Sequence, residues 1–402
     1  MGQERAAACG GELSDARLGL TLGLLSAIGP LSIDLYLPAF PTMARELGAA
    51  PGDIQRTLSV FFLALAAAQV PIGSLSDRLG RKRMLYAGLG LFVAASLACA
   101  ASLSVDALFA LRFVQGFGIC AGTIISRAII RDLKSGPDAA RLMATSFLVL
   151  GISPVLAPLL GSYLLSIMSW RGLFVVLAFA GVAGLALVRL VLPESLPPAR
   201  RVPRGTPILP PYRQLLGNGR FVRAALIAGF ATTVPYAYLT AAPFVFTGKF
   251  GLDPHGYSLL LGVNAACSIA TTQLSPGLMR RWGAKRLLSG ANLFGFVLSL
   301  ALGAALWGGV MNLALFQIGS MLLFGLVGLV LTPAAITALD ASGTGAGTAA
   351  SALGTAQLAV TATASATISL FPAFSIVPLL LVVGGSFVCA SVLSSQREKS
   401  YG

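Results

Sequence analysis

Hydrophobic residues form long segments along the whole chain, separated by short polar ones. Each segment runs for about 20 residues, the length that an α-helix needs to cross a hydrocarbon core of ~30 Å. The pattern predicts an all-α membrane protein with twelve transmembrane helices and no separate soluble domain. These helices are expected near residues 17–40, 54–75, 82–101, 105–128, 139–165, 170–192, 221–247, 255–279, 286–308, 311–334, 345–369 and 372–394.

Composition supports this fold class, because 56% of the residues are hydrophobic and 10% are charged, whereas soluble domains carry roughly 25% charged residues. The formal charge of +14 would suggest a nucleic acid partner in a soluble protein. Here, however, 23 of the 28 Lys and Arg residues fall in segments predicted on the same side of the membrane as the N-terminus. Basic residues favour cytoplasmic loops, so both termini are predicted in the cytoplasm and no nucleic acid is expected. The five cysteines show no metal-ligand spacing, and no metal is expected.

A polar segment rich in Pro and Arg divides the predicted helices six from six. The two sides are related, because YLPAFP at 36–41 reappears as YLTAAP at 238–243, an offset of 202. The loop at 76–83 likewise corresponds to 279–286, an offset of 203. Duplication of a six-helix bundle explains both of these sequence similarities. The predicted domains are an N-terminal bundle at 1–192, a cytoplasmic linker at 193–220 and a C-terminal bundle at 221–402.

The loop between predicted helices 2 and 3 reads GSLSDRLGRKR from residue 73 to residue 83. It resembles the G-x-x-x-D-R-x-G-R-[RK]-[RK] signature of major facilitator transporters, with every defining position filled. The resemblance implies two pseudo-symmetric six-helix halves with a substrate site between them near the membrane midplane. It also implies a gating function at the inner ends of the halves; the alternative is that the basic residues merely fix topology. The gating residues would be Gly73, Asp77, Arg78, Gly80 and Arg81.

Arg112 lies inside predicted helix 4 and is followed by Gln115. A guanidinium stays charged in a protein, so an arginine in the membrane needs carbonyls, water or an anion around it. The segment resembles the R-x-x-Q-G pattern on helix 4 of the same family, which implicates Arg112 in proton coupling. The alternative is a structural arginine that bonds backbone, with Gln115 serving helix packing.

Predicted helix 5 carries Pro154 and Pro158 on one face, between Gly151 and Gly161. Each proline removes an intrahelical hydrogen bond, and small residues let another helix come close. The segment resembles a motif found on helix 5 of exporters but not of importers in the superfamily, which implies antiport. The match is partial, because Ser162 stands where a second glycine is common, and an ordinary proline-kinked helix is the alternative.

Asp34 is the one carboxylate that the sequence places well inside a hydrophobic segment. An acid at that depth is costly unless it titrates, pairs or handles a substrate. The segment DLYLPAFP from Asp34 to Pro41 is similar to the bicyclomycin and chloramphenicol resistance (Bcr/CflA) branch of drug:proton antiporters. The resemblance implies that Asp34 carries the proton and competes with the substrate.

Further polar or aromatic residues in the predicted helices are candidates for the substrate cavity. Each could equally bond a neighbouring helix. The candidates are Tyr36, Gln115, Tyr236, Tyr238, Asn264, Asn292 and Gln357.

These observations predict proton-coupled efflux of drugs or small amphipathic molecules across a bacterial inner membrane by alternating access. The alternative is an exporter or proton symporter of a small metabolite such as an amino acid. Phosphate-binding glycine loops, paired acids and His/Cys metal sets are missing from the sequence, which argues against an enzyme and against ATP-driven transport. The expected partners are protons, a drug-like small molecule and the bilayer, with the proton gradient in place of a cofactor and a monomer as the working unit.

Overall fold

The computed structural model describes residues 15–134, 136–203, 206–342 and 346–395, and within these ranges the chain is almost entirely helical. Twelve long helices follow one another, which confirms the predicted fold class. Their bounds are α1 Asp15–Asp34, α2 Pro51–Leu79, α3 Arg81–Ala100, α4 Val105–Leu133, α5 Gly136–Leu165, α6 Trp170–Leu190, α7 Gly219–Phe244, α8 Pro254–Trp282, α9 Ala284–Trp307, α10 Leu313–Asp340, α11 Ala346–Ser369 and α12 Val377–Ser395.

Ten of the described helices are both long and hydrophobic enough to cross a membrane. The other two long helices, α8 and α11, are more polar because they carry many Ser and Thr residues. Both pack centrally: α8 lies against α10 and α5, and α11 lies between α2 and α7. Both helices therefore face protein on several sides, where polar side chains are tolerated.

Short elements extend two of the helices and fill the connection between α6 and α7, which we call the linker. After α1 the chain passes through a 3₁₀ turn at Leu37–Ala39 and a short helix at Phe40–Glu46. A π-helical turn at Val245–Lys249 continues α7. The linker contains a 3₁₀ turn at Pro198–Arg200 and a helix at Leu209–Gly217.

The same tight turn occurs in both halves of the chain, between α2 and α3 and between α8 and α9. Gly80 has φ = 99° and Gly283 has φ = 81°. Side chains disfavour positive φ, so glycine is the residue that fits both turns. We call helices α1–α6 the N-half and helices α7–α12 the C-half. The backbone conformation of this turn is the same in both halves.

The two halves meet at one end of the molecule and separate at the other. At the end opposite the linker, the distal end, Gly52 of α2 packs so closely on α11 that an added Cβ would lie 2.5 Å from the Ser369 carbonyl oxygen. The Ser59 hydroxyl of α2 donates to the Ser365 hydroxyl of α11 at 2.9 Å. At the linker end, a cavity of about 430 Å³ lies between α2, α4, α11 and the linker. We call this cavity the vestibule; the structure is sealed distally and open toward the linker.

Helix α4 is longer than predicted. It was expected to end near residue 128, yet it continues to Leu133, and Arg127 in its last turns lines the vestibule. The hydrophobic run ends before the helix does, because a helix wall facing an aqueous cavity tolerates charge.

Candidate functional site

Asp34 lies at the last position of α1, where the helix breaks. Its exposed fraction is 3%, and it is the single buried carboxylate in the described part of the chain. The last helical bond runs from the Leu35 N–H to the Leu31 carbonyl at 3.0 Å. Pro38 explains the break, because a proline disfavours helical geometry at the residue before it and supplies no N–H. The break leaves the carbonyl of Ser32 open to another donor.

The guanidinium of Arg112 takes this carbonyl. Its Nη1 and Nη2 both donate to the Ser32 oxygen at 3.3 Å, and Nη1 also donates to Gln115 Oε1 at 2.5 Å. Gln115 Nε2 in turn donates to the Ser96 hydroxyl at 2.7 Å. A chain of hydrogen bonds therefore joins α1, α4 and α3 just before Asp34.

Two aromatic rings lie close to the Arg112 guanidinium. Its Cζ lies 4.3 Å from the centroid of the Tyr36 ring and 4.2 Å from that of Phe61. Ring faces attract cations, most strongly where water is excluded, and Arg112 is fully buried. No described carboxylate forms an ion pair with it. In this state Arg112 is thus bonded to the backbone of α1 and to the Gln115 amide.

Two predicted cavity residues lie inside the N-half instead of between the halves. Tyr36 is fully buried, with its hydroxyl 3.3 Å from the Thr57 hydroxyl and its ring beside Phe174. Gln115 is fully buried in the Arg112 network. Tyr36 is turned toward α2, α4 and α6, and Gln115 of α4 is turned toward α3. In this state neither side chain reaches a ligand between the halves.

The segment that follows Asp34 packs against the C-half, because the turn at Leu37–Ala39 contacts α7 and α8. Tyr236 of α7 and Tyr257 of α8 lie near the Asp34 carboxyl group. The Tyr236 ring contacts Phe62 of α2 at 4.7 Å between centroids, and the buried Tyr257 hydroxyl has no described hydrogen-bond partner. Asp34 itself makes no hydrogen bond or ion pair with any described residue. It is an isolated carboxyl group at the interface of the halves.

The remaining cavity candidates lie in the C-half. Tyr238 is buried among phenylalanine rings, and its hydroxyl lies near Asn264 and Ser320 without forming a described hydrogen bond. Asn264 is fully buried and accepts from Gln317 Nε2 at 2.9 Å. Asn292 is fully buried on α9, and neither of its amide atoms has a partner in the described chain. Gln357 is half-buried on α11. Of these candidates, Tyr236 is the one placed beside Asp34.

The helix 5 motif touches the break in α1. An added Cβ on Gly161 would lie 2.0 Å from the Leu35 carbonyl oxygen, so only a glycine lets α5 approach this closely. Pro158 is buried, whereas Pro154 and Gly151 are half-buried, and Gly151 lies near Ile269 of α8. Helix α5 therefore connects the Asp34 segment to the C-half.

Arg81 is the centre of the loop 2–3 motif. Its guanidinium pairs with Asp77 at 2.5 Å and with Asp132 at 2.8 Å, and it donates to the Ser76 hydroxyl at 2.7 Å. Its backbone N–H donates to the Glu194 carboxylate of the linker at 3.0 Å. Sequence reasoning missed Asp132 and Glu194. The one feature of the sequence that could have indicated them is that each is an acid next to a basic inner loop.

The rest of the motif lines the vestibule and holds the linker. Gly73, Asp77 and Arg78 lie on the vestibule wall, and Gly347 of α11 lies on the same cavity. Arg78 donates to the Thr206 carbonyl. Asp77 pairs with Arg81 of its own half, and its backbone carbonyl accepts from the Val202 N–H of the linker at 3.0 Å. In this state the motif therefore binds its own half and the linker.

Gly80 sits where the linker crosses the motif. A Cβ at this position would lie 2.8 Å from Arg201 Nη2 and from Glu194 Oε2. The residue must therefore be small as well as tolerant of a positive φ. The linker reaches the C-half as well, because the hydroxyls of Tyr212 and Ser351 lie 2.8 Å apart.

Comparisons with known proteins bear on this arrangement. The family model described as Major Facilitator Superfamily matches residues 22–369. The chain is 30% identical over 394 residues to a bicyclomycin resistance protein homolog of Haemophilus influenzae, which covers 95% of this chain and 97% of the relative. It is 35% identical over 257 residues to the MFS-type transporter YdgK of Bacillus subtilis, covering 63% of this chain and 64% of YdgK. The crystal structure of the nucleoside transporter NupG shares the fold, with a TM-score of 0.73, 15% identity and coverage of 94% and 98%.

Proposed function

Because the chain belongs to the Major Facilitator Superfamily and is therefore a transporter rather than an enzyme, we propose that it exports drug-like small molecules in exchange for protons. The family predicted from the loop 2–3 motif is confirmed, and so is the likeness to bicyclomycin resistance proteins. The relative from Haemophilus influenzae carries bicyclomycin resistance in its name. Bicyclomycin is accordingly the first substrate to test.

The observation that carries the proposal is the isolation of Asp34. A buried carboxylate without a donor or a cation is costly when ionised, so such a group either holds a proton or acquires a ligand. Asp34 lies between the halves, and the distal seal closes the molecule on the side opposite the vestibule. Exchange of a proton for a substrate at this one group would couple the two fluxes.

The linker end is proposed to face the cytoplasm, in an inner membrane, since most basic residues lie on that side. In the state described here, Asp34 then releases its proton as a substrate enters from the vestibule. After the halves rock, the substrate leaves outward and Asp34 takes a new proton. A cationic substrate would pair with the ionised carboxylate, whereas a neutral one would compete by hydrogen bonds and by volume.

Arg112 is proposed to act on this cycle through the backbone. It holds the Ser32 carbonyl, two residues before Asp34, and so fixes where α1 breaks. Gly161 supports the same turn from α5. Asp77, Arg78 and Arg81 would act at the other end, where the vestibule must close in the outward-facing state.

Proton release on substrate binding tests the proposal. Bicyclomycin, and separately the lipophilic cation tetraphenylphosphonium, is added to the purified, detergent-solubilised transporter in weak buffer while pH is recorded. Wild type should release protons with at least one of the two compounds. Asp34→Asn, which has no proton to give, should release none. Asp106→Asn removes an exposed carboxylate at the start of α4 and serves as the matched control.

Insertion is checked separately, because a misfolded variant would also be silent. Asp34→Asn should elute as a single species and unfold at a temperature close to that of wild type. Gradient-driven export of bicyclomycin by Asp34→Asn at the wild-type rate would overturn the role of Asp34. Substrate uptake with protons, in place of exchange, would indicate a symporter.

A further inference from the structure

Gln55 of α2 is a buried amide without a hydrogen-bond partner among the described residues. Its exposed fraction is 0%, and neither Oε1 nor Nε2 forms a hydrogen bond. Such an amide is costly, because it has left water without replacing its hydrogen bonds. At the repeat offset of 203 the corresponding residue is Ser258 of α8, which is equally buried but donates to the Pro254 carbonyl at 2.7 Å. At this position the unsatisfied amide is therefore a feature of the N-half alone.

Gln55 lies on the face of α2 that packs against the C-half. It follows Gly52 by three positions and precedes Ser59 by four and Phe62 by seven, and residues at these spacings share a helix face. Gly52 and Ser59 both contact α11. Phe62 contacts the Tyr236 ring of α7 at 4.7 Å between centroids. The amide is therefore enclosed within the distal seal, between α2 and the two helices of the other half.

The contacts around Gln55 hold the distal end closed. The Ser59 hydroxyl donates to the Ser365 hydroxyl of α11 at 2.9 Å. The rings of Phe40 in the N-half and Phe244 in the C-half lie 6.1 Å apart between centroids. These polar and aromatic groups all find partners across the halves, whereas the Gln55 amide finds none in the sealed state.

Separation of the halves reverses the situation of Gln55. When the distal ends part, as alternating access requires, this face of α2 turns toward water. Water then supplies the donor and the acceptor that the amide lacks in the sealed state. The contacts across the halves thus favour the seal, whereas Gln55 favours its opening.

We propose that Gln55 keeps the distal seal only marginally stable, so that the halves can separate there and release a substrate. The proposal needs the two alternating states of the transporter but not the chemistry of Asp34. Its test reads opening of the distal end instead of transport. A failure of the proposed proton exchange would therefore leave this proposal standing, and the reverse also holds.

The test compares three side chains of similar length at position 55. Gln55→Met removes both polar atoms and keeps an unbranched chain, whereas Gln55→Glu introduces a carboxylate, which is costlier to bury than an amide. The reporter is Ser369→Cys, because Ser369 is 4% exposed and its carbonyl lies against Gly52 in the seal. The purified full-length transporter in detergent is labelled at pH 8 with a hydrophilic maleimide. Peptide mass gives the rate at position 369 separately from the native cysteines.

The two variants should change labelling in opposite directions. Gln55→Met should slow it by about tenfold, because the sealed state no longer contains an unsatisfied amide. Gln55→Glu should speed it by about tenfold or more, because the sealed state then contains an unpaired acid. Damage to packing would speed labelling in both variants, so the opposite signs separate the proposed effect from a loosened helix.

Two further measurements keep the result interpretable. Gln273→Met makes the same substitution at an exposed position of α8 and should label at the wild-type rate. Gln55→Met should unfold at a temperature equal to or above that of wild type, which also shows that its fold is retained.

Three outcomes would overturn the proposal. Faster labelling of Gln55→Met, or a lower unfolding temperature for it, would mean that the amide is bonded in the sealed state, for example to a buried water, and helps to hold it closed. Equal labelling rates for all three side chains would mean that Gln55 does not influence the seal.

Discussion

Tyr36 and Tyr238 occupy corresponding places in the two halves, 202 residues apart, yet their surroundings differ in kind. The Tyr36 ring lies against the Arg112 guanidinium, and its hydroxyl meets Thr57. Tyr238 lies among the rings of Phe246, Phe316 and Phe324, at 6.0, 6.1 and 5.1 Å between centroids. In the N-half the tyrosine lies beside a buried charge, whereas in the C-half it lies within an aromatic cluster.

The residues two positions earlier extend the contrast. Asp34 corresponds to Tyr236, and both face the opposite half. Helix α1 breaks after Asp34, whereas α7 continues to Phe244. A local difference accompanies the break, because Pro38 in the first copy is Thr240 in the second, and Thr240 can donate its N–H to the helix. The comparison indicates that the buried charges of the described residues are confined to the N-half, and that the C-half supplies an aromatic wall.

Removal of the buried charge is the strongest test of this contrast. Arg112→Ala should abolish transport and lower thermal stability, because it leaves the Ser32 carbonyl and the Gln115 amide without their partner. Each buried polar group left unsatisfied costs about 1–3 kcal/mol. Transport assays in vesicles and unfolding curves in detergent measure the two effects.

The matched control for Arg112 is Ser320, since each lies seven residues after the first residue of α4 or α10. The Ser320 hydroxyl bonds its own helix, at the Phe316 carbonyl. Ser320→Ala should retain most of the transport activity. Loss of activity as large as that of Arg112→Ala would mean that the effect at this helix position does not depend on the charge of Arg112.

The break in α1 is tested from the neighbouring helix. In Gly161→Ala the new Cβ would lie 2.0 Å from the Leu35 carbonyl oxygen, so α5 or the turn after α1 must move. We expect transport to fall by roughly 10- to 100-fold, since misplacement of a reacting group by about 1 Å can cost 100-fold. Gly151→Ala, on the same helix, should be nearly neutral, because its nearest neighbour, Ile269 Cδ1, is 4.0 Å away.

The distal seal depends on hydroxyl groups from both halves. Ser365 of α11 accepts from Ser59 of the N-half at 2.9 Å and lies 2.7 Å from the Thr240 hydroxyl of its own half. Ser365→Ala loses the one of these hydrogen bonds that joins the halves, worth about 1 kcal/mol, so it should shift the balance toward a distally open state by roughly fivefold. Accessibility of an engineered cysteine at the distal end measures the shift.

Thr361 provides the control for the seal. Its hydroxyl lies 3.3 Å from that of Thr232, and both residues belong to the C-half. Thr361→Ala should leave distal accessibility unchanged. An equal increase with both variants would show that α11 has loosened as a whole and that the hydroxyl bridge to α2 is not the seal.

Sequence reasoning reached what depends on local pattern and stopped where the answer depends on neighbours. Hydropathy predicted the helices, and the loop 2–3 motif predicted the family, because both are contiguous in the chain. Periodicity could not tell that Tyr36 and Gln115 face their own half, since it shows which residues share a helix face but not which helix covers that face. Asp132 was missed for the same reason, because Arg81 meets it across 51 residues of chain.

The smallest expected effect distinguishes the two tyrosines directly. Tyr36→Phe removes a buried hydroxyl that is 3.3 Å from the Thr57 hydroxyl and should destabilise the transporter by about 1 kcal/mol. Tyr238→Phe removes a hydroxyl without a described hydrogen-bond partner, so its unfolding temperature should be equal to or above that of wild type. A loss of stability confined to Tyr238→Phe would place the polar network in the C-half. It would reverse the assignment of charged and aromatic surroundings to the two halves.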